Sequence, residues 1–106
     1  MSVGVLRLTF HVPHARSLKD KRRVVRKFRD RVRARFDVSI AEVAEQDILQ
    51  KAVFGVSVVS AEAHVCDAVL EQVARVAATQ EDAVLTNRET ELVTIGDDMY
   101  GGEDGL

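Results

Sequence analysis

One segment of this sequence carries most of its positive charge at a spacing typical of a helix. Residues 16–35 hold 11 of the 15 lysines and arginines but only two carboxylates, which gives this segment a charge of +9. The other 86 residues sum to −11, although the whole chain has a net charge of only −2. The fold must therefore expose most of this segment, and a function should account for the segregation of charge along the chain.

Helical periodicity divides the basic segment into two faces. At steps of 100° per residue, the apolar side chains fall on one arc of about 120°, which we expect to pack on the core: Leu18, Val24, Val25, Phe28 and Val32. Four arginines fall within about 60° of each other and form what we call the arginine stripe: Arg22, Arg26, Arg29 and Arg33. Ser17 and Asp20 fit a capping box that begins this helix.

Lys21 is the exception, because its position falls inside the apolar arc. Alternation in the following strand points Glu42 inward as well. The two charges could satisfy each other or snorkel at the edge of the core, line a ligand or partner site, or act as an acid–base pair in a small enzyme. The sequence leaves these three interpretations open.

Alternating and helical patterns predict six elements. Strands are expected at 3–12, 36–43, 51–60 and 83–95, and the last of them admits an interruption at Arg88–Thr90. A second helix is expected over about 61–78, with Ser60 as its N-cap, Val65 in its apolar arc and Glu71–Arg75 as an i,i+4 pair.

This βαββαβ order predicts an α+β fold, a two-layer ferredoxin-like sandwich. Two helices should cover one face of a four-stranded antiparallel sheet of order 4-1-3-2. Residues 1–96 would form this single domain, and residues 97–106, which are acidic and rich in glycine, would form a disordered tail.

That topology gathers several polar side chains at one end of the sheet, around the start of the first helix and the 43–51 connection. We expect the end of a site there, formed by Lys21, Glu42, Gln46, Asp47 and Gln50, with His11, His14, Lys19 and Glu45 nearby.

Several other functional classes lack a signal in the sequence. His11 and His14 flank a strand end and Pro13, and no spacing typical of a metal site supports them, so no metal is expected. Cys66 is expected in the core, and no nucleotide-binding or nucleophile motif is present, so no cofactor is expected. With one cysteine, no apolar run long enough to span a membrane and no secretory signal, the chain is expected to be cytoplasmic.

The basic helix suits contact with phosphate groups, through Lys19, Arg22, Arg23, Arg26, Arg29 and Arg33. An acidic protein partner and a merely solvated face remain alternatives. The open sheet face should carry no aromatic side chain for base stacking, so RNA would be held through its backbone and shape. That face should instead expose Val3, Val5, Val53 and Val59, a patch suited to a sheet-to-sheet homodimer.

Several linked segments resemble the YlxP-like family of small bacterial proteins of unknown function: VGVLRL, ARSLKDKRRVV, FDVSIAEV, QDILQKA and GVSVVS. The resemblance covers about residues 2–95. Ser17, Leu18, Lys19, Lys21 and Arg22 match the family's helix opening, and Gln46, Asp47 and Gln50 match its polar connection. Leu49 stands where many members have an aromatic residue, which puts a stacking contact there in doubt.

The resemblance implies a ferredoxin-like fold and supplies no catalytic residues. Genes of the family often lie in an operon for translation and ribosome maturation, which implies a role near RNA or the ribosome. We therefore expect a non-enzymatic, cytoplasmic RNA- or ribosome-associated binding protein. The alternative is a homodimeric protein-interaction module whose basic helix docks on an acidic protein surface.

Overall fold

A computed structural model describes residues 1–96 of the chain. Its elements are β1 (Ser2–His11), α1 (Leu18–Arg35), β2 (Ser39–Ala44), β3 (Lys51–Ser60), α2 (Ala63–Ala78) and β4 (Val84–Thr94). The tail predicted for residues 97–106 lies outside the described residues.

The sheet has the predicted topology. Its order is β2-β3-β1-β4, which is the predicted order 4-1-3-2 counted from the other edge, and every neighbouring pair is antiparallel. With a helix after β1 and another after β3, the chain forms the α+β ferredoxin-like sandwich expected from its alternation of periods.

The core lies between the helices and one face of the sheet. Alternate residues of β1 and β3 point into it, as the period-two pattern predicts. Phe10, Phe28 and Phe54 pack edge to face, with ring centroids 5.0 to 5.8 Å apart, and join α1 to the two central strands. The other buried side chains facing this layer include Leu6, Leu8, Val32, Ile40, Val56, Cys66, Leu70 and Val73.

The two helices approach the sheet differently. Against α2, β1 comes so close that a Cβ added at Gly4 would lie 2.7 Å from Cδ1 of Leu70. A larger residue would therefore require the Leu70 side chain or the backbone around it to shift. By contrast, α1 packs toward the edge strand β2. The outer surfaces of the helices leave a cleft between them.

Two residues predicted in the core lie at its margin. Leu18 is 37 % exposed in the first turn of α1, where Lys21 occupies the inward position instead. Val65 is 38 % exposed in the first turn of α2. Both predictions were wrong because the helical projection ignores that the first turn of a helix can extend past the layer beneath it.

Three predicted boundaries also differ. The N-cap of α2 is Glu62 rather than Ser60, whose hydroxyl accepts from the Glu62 N–H at 3.2 Å and forms a turn before the helix. There is no interruption at Arg88–Thr90, because β4 is continuous. Its irregularity is a bulge at Thr86, which has no partner in β1 because Thr9 pairs with Asn87 and Phe10 with Leu85. Residues 36–38 lead into β2 and do not belong to it.

Candidate nucleic-acid interface

Lys21 is sealed beneath the connection between β2 and β3. Only 2 % of its side chain is exposed, and its ammonium nitrogen lies 3.1 Å from Oε2 of Glu42. The same ammonium donates to the carbonyl oxygens of Glu45 at 2.5 Å and Gln46 at 3.3 Å. The inward placement of Lys21 and Glu42 predicted from the sequence is therefore present, and the pair fastens the connection to α1.

This fastening accompanies a local backbone distortion. Glu45 has a φ of 59°, a left-handed conformation that costs a residue with a Cβ on the order of 1 kcal/mol. The conformation directs the Glu45 carbonyl to Lys21. A hydrogen bond to a buried charge can offset a cost of that size.

Of the other residues at this end of the sheet, some form hydrogen bonds within the protein and others are exposed. The Gln50 carbonyl accepts from the Val12 N–H at 3.0 Å and lies 3.1 Å from Nδ1 of His11. The side chain of Gln46 donates to the Glu42 carbonyl at 3.2 Å. Lys19 and Asp47 are exposed, and neither side chain has a hydrogen bond or ion pair with another residue in 1–96. The predicted neighbourhood exists, and its described contacts stabilise the connection.

The basic residues of α1 lie on three surfaces of the helix: two sides, which we call flanks, and the solvent-facing surface between them, which we call the crest. One flank faces β2, because Nη2 of Arg33 donates to the Ile40 carbonyl at 3.3 Å. The other faces the end of α2, because the Arg31 guanidinium donates to Gln80 Oε1 at 3.0 Å and Thr79 Oγ1 at 3.2 Å. Helical geometry places Lys19 and Arg23 on the crest between them.

The arginine stripe runs along the flank beside β2 and changes character along its length. Arg22 and Arg26 are exposed and pair with no other residue of the described chain. Arg29 is half-buried, with its Nε 3.6 Å from Asp30 Oδ1, and Arg33 is tethered to β2. The first two arginines are thus free to meet an incoming anion, while the last two are held more firmly against the protein.

A second basic surface lies on the other flank and was missed by sequence reasoning. A cleft of about 480 Å³ between the helices is lined by Arg31, Arg35, Gln72, Arg75, Val76 and Thr79. Arg75 was predicted to pair with Glu71 within α2. In the structure, Glu71 instead forms a two-pronged ion pair with Arg88 of β4.

The Arg88 hydrogen bonds hold the pKa of the Glu71 carboxyl below its usual range, and the charges of Arg88 and Arg75 act in the same direction. The partner of the Glu71 carboxylate is therefore Arg88 of β4. Arg75 remains available to the cleft. The sequence carries no signal for this arrangement, because the competing partner Arg88 lies on another element.

The open face of the sheet exposes the predicted apolar residues, at least in part, except at one position. Val53 is only 6 % exposed beside the bulge at Val43, so it does not contribute to an exposed patch. Val3 lies between Val59 and Val93 in register, and the two flanking valines are 62 % and 45 % exposed. Met1, Val5 and Ile95 extend this apolar surface. No phenylalanine, tyrosine or tryptophan within residues 1–96 lies on it.

The features of two further classes of site are absent from the described part of the chain. Neither α1 nor α2 combines the length and apolar character that a membrane-spanning helix needs. Residues 1–96 also contain no group of three histidine, cysteine or carboxylate side chains placed to hold a metal ion.

Two solved structures align with most of the chain. The de novo designed protein Foldit4 aligns over 91 % of this chain and 100 % of its own, with a TM-score of 0.52 and 11 % identity. This likeness concerns the fold alone. A C-terminal segment of the alpha subunit of aIF2 from Pyrococcus abyssi aligns over 90 % of this chain and 52 % of its own, with 16 % identity and a TM-score of 0.45.

Sequence comparison identifies the family. A curated relative, the uncharacterized protein YlxP of Bacillus subtilis (strain 168), is 46 % identical over 46 residues, which span 43 % of this chain and half of the relative. The family model of DUF503, described as a protein of unknown function, matches residues 3–90. The chain therefore belongs to the DUF503 family and, as its motifs predicted, is YlxP-like.

Proposed function

We propose that this protein is a cytoplasmic, non-enzymatic RNA-binding protein that contacts phosphate groups through α1. The observation that carries the proposal is a group of exposed basic side chains in the first half of α1 that have no carboxylate partner within residues 1–96: Lys19, Arg22, Arg23 and Arg26. A rigid helix holds these charges on two adjacent surfaces, the crest and the flank beside β2, where they can contact neighbouring phosphates.

Arg29 and Arg33 extend this surface at its far end. Their partial tethering to Asp30 and Ile40 lowers the conformational entropy that binding would cost. Each guanidinium still has N–H groups beyond the one in contact with the protein. We therefore place the RNA backbone along the crest and the β2 flank of α1.

The mode of binding would differ from base stacking on a sheet. All four phenylalanines lie in the core or pack against it, so the open face of the described sheet offers no stacking platform. Recognition through backbone and shape fits this arrangement. Structured ribosomal RNA is the class of ligand to test first, given the translation-related role that the family resemblance implies.

The test compares binding of ribosomal RNA fragments by the wild type and by a variant with Arg22, Arg26, Arg29 and Arg33 replaced by glutamate. A control variant, R7E/K51E, reverses two basic residues that are exposed on the open sheet face and pair with Glu89 and Glu45. R22E/R26E changes the net charge by the same amount and is compared with it. The neutral variant R22Q/R26Q spares the contacts of Arg29 and Arg33 with the protein. Loss of affinity in the stripe variants alone supports the proposal, and unchanged affinity overturns it.

A homodimer through the open sheet face is the second candidate. The observation that favours it is an apolar row in which the half-buried Val3 lies between the exposed Val59 and Val93, continued by Met1 and Ile95. In that arrangement the basic helices point away from the interface and can dock on an acidic protein. Light scattering of the wild type and V59K tests the dimer. Purification with and without nuclease distinguishes an RNA partner from a protein partner.

A further inference from the structure

We propose that the cleft between α1 and α2 binds a phosphate monoester through Arg31, Arg35 and Arg75. This site lies on the flank of α1 that faces α2, so it is separate from the arginine stripe and does not depend on the RNA-binding proposal. The cleft has a volume of about 480 Å³, within the range of small-molecule sites in proteins.

The cleft carries a charge of +3, because its lining has three arginines from two helices and no carboxylate. Arg31 is held in place by Gln80 and Thr79, whose oxygens are neutral acceptors and leave its charge uncompensated. The Thr79 hydroxyl in turn donates to the Val76 carbonyl at 2.9 Å. Arg31 is thus oriented before any ligand arrives, which lowers the entropy cost of binding.

Two of the neighbouring carboxylates have other partners, and Glu81, which shares an adjacent cavity with Arg31 and Thr79, does not line the cleft. Glu71, the acid nearest in sequence to Arg75, is bound in two places by Arg88. Asp82 accepts from Gln80 Nε2 at 3.0 Å and lies 3.7 Å from the ammonium of Lys27. Neither side chain lines the cleft. The arginines of the cleft therefore meet an anion without first breaking a strong internal pair.

A phosphate monoester fits these donors better than a carboxylate or a phosphodiester does. It carries close to two negative charges at neutral pH and three acceptor oxygens, which suits guanidinium groups approaching from two sides. Gln72 adds a neutral amide to the lining. The cleft is larger than a phosphate group, so it has room for the nucleoside of a nucleotide or the first residue of an RNA strand.

The experiment follows the Nε–Hε signals of the three arginines by NMR at constant ionic strength in the full chain. The probes are inorganic phosphate, adenosine monophosphate, one RNA oligonucleotide with and without a 5′-phosphate, and acetate as a carboxylate control. Saturable shifts with the phosphate probes are expected, and affinity should fall about tenfold in R35Q and in R75Q. R7Q and K51Q, which alter exposed basic residues on the open face of the sheet, should match the wild type.

The oligonucleotide pair identifies the source of the phosphate. Tighter binding of the 5′-phosphorylated strand assigns the cleft to RNA ends, and equal binding of the two strands with saturable binding of adenosine monophosphate assigns it to free phosphomonoesters. Shifts that do not saturate, equal losses in R7Q and R75Q, or acetate binding as tight as phosphate would overturn the proposal. Amide spectra that match the wild type confirm that R35Q and R75Q are folded.

Discussion

The ammonium nitrogen of Lys21 lies 3.1 Å from a carboxylate oxygen of Glu42, and the lysine side chain is 98 % buried. Together with the carbonyls of Glu45 and Gln46, this ion pair joins the first turn of α1 to the connection after β2. Lys21 is therefore a structural residue in the middle of a segment whose other basic side chains are mostly exposed.

Replacing Lys21 by methionine should destabilise the protein by about 3 kcal/mol, because it leaves the Glu42 carboxylate without its ion-pair partner and two carbonyls without their donor. Glu42 is 19 % exposed, so water can recover part of the loss. The measurement is the free energy of unfolding in urea. K19M removes an exposed lysine two residues earlier and should change stability by less than about 0.5 kcal/mol.

The same substitution should loosen the connection selectively. The Ile48 N–H, which donates to the Glu45 carbonyl at 3.1 Å, should exchange faster with solvent in K21M. Equal stability of K21M and K19M, with unchanged exchange at Ile48, would show that the buried pair does not fasten the connection.

Gly4 should not tolerate a methyl group. Its added Cβ would meet Leu70, which is 1 % exposed and surrounded by the core, so G4A should cost about 1–3 kcal/mol. In G55A the added Cβ lies 3.0 Å from Val43, but that side chain is 55 % exposed and can move into solvent. Thermal unfolding should separate the two variants, and equal melting temperatures would contradict the close packing of β1 against α2.

The Glu71–Arg88 pair should make stability depend on pH. The folded state lowers the pKa of Glu71 below 4.5, so the pair's contribution is present above that pH and is lost as the pH falls through the lowered pKa. In R88Q, an NMR titration of the Glu71 carboxyl should show the pKa returning toward its ordinary value. R88Q should also be less stable than the wild type near neutral pH and equal to it in strong acid. A Glu71 pKa that R88Q leaves unchanged would contradict this assignment.

Much of the fold could be predicted because period-two and period-3.6 patterns are local properties of the sequence. The inward placement of Lys21 and Glu42 followed from those two periods alone. The turn that moves the N-cap of α2 from Ser60 to Glu62, and the bulge at Thr86, depend on how neighbouring elements meet. Local pattern cannot supply that information.

The candidate site was only partly predictable for the same reason. A helical projection places the arginine stripe on one flank but does not identify the element beside it. The cleft needs Arg75, which is 40 residues or more along the chain from Arg31 and Arg35 and reaches them only through packing of the helices. The sequence also predicted an ion pair between Glu71 and Arg75, because the actual partner of Glu71, Arg88, lies on another element.

The central claim is that α1 binds RNA through phosphate contacts, and the salt dependence of affinity tests it most directly. For the wild type and a structured ribosomal RNA fragment, log affinity should fall against log salt with a slope of about −3 to −4 if four arginines engage the backbone. R22Q and R26Q should each make the slope shallower by about one. A slope near zero, or one that neither substitution changes, would contradict the account.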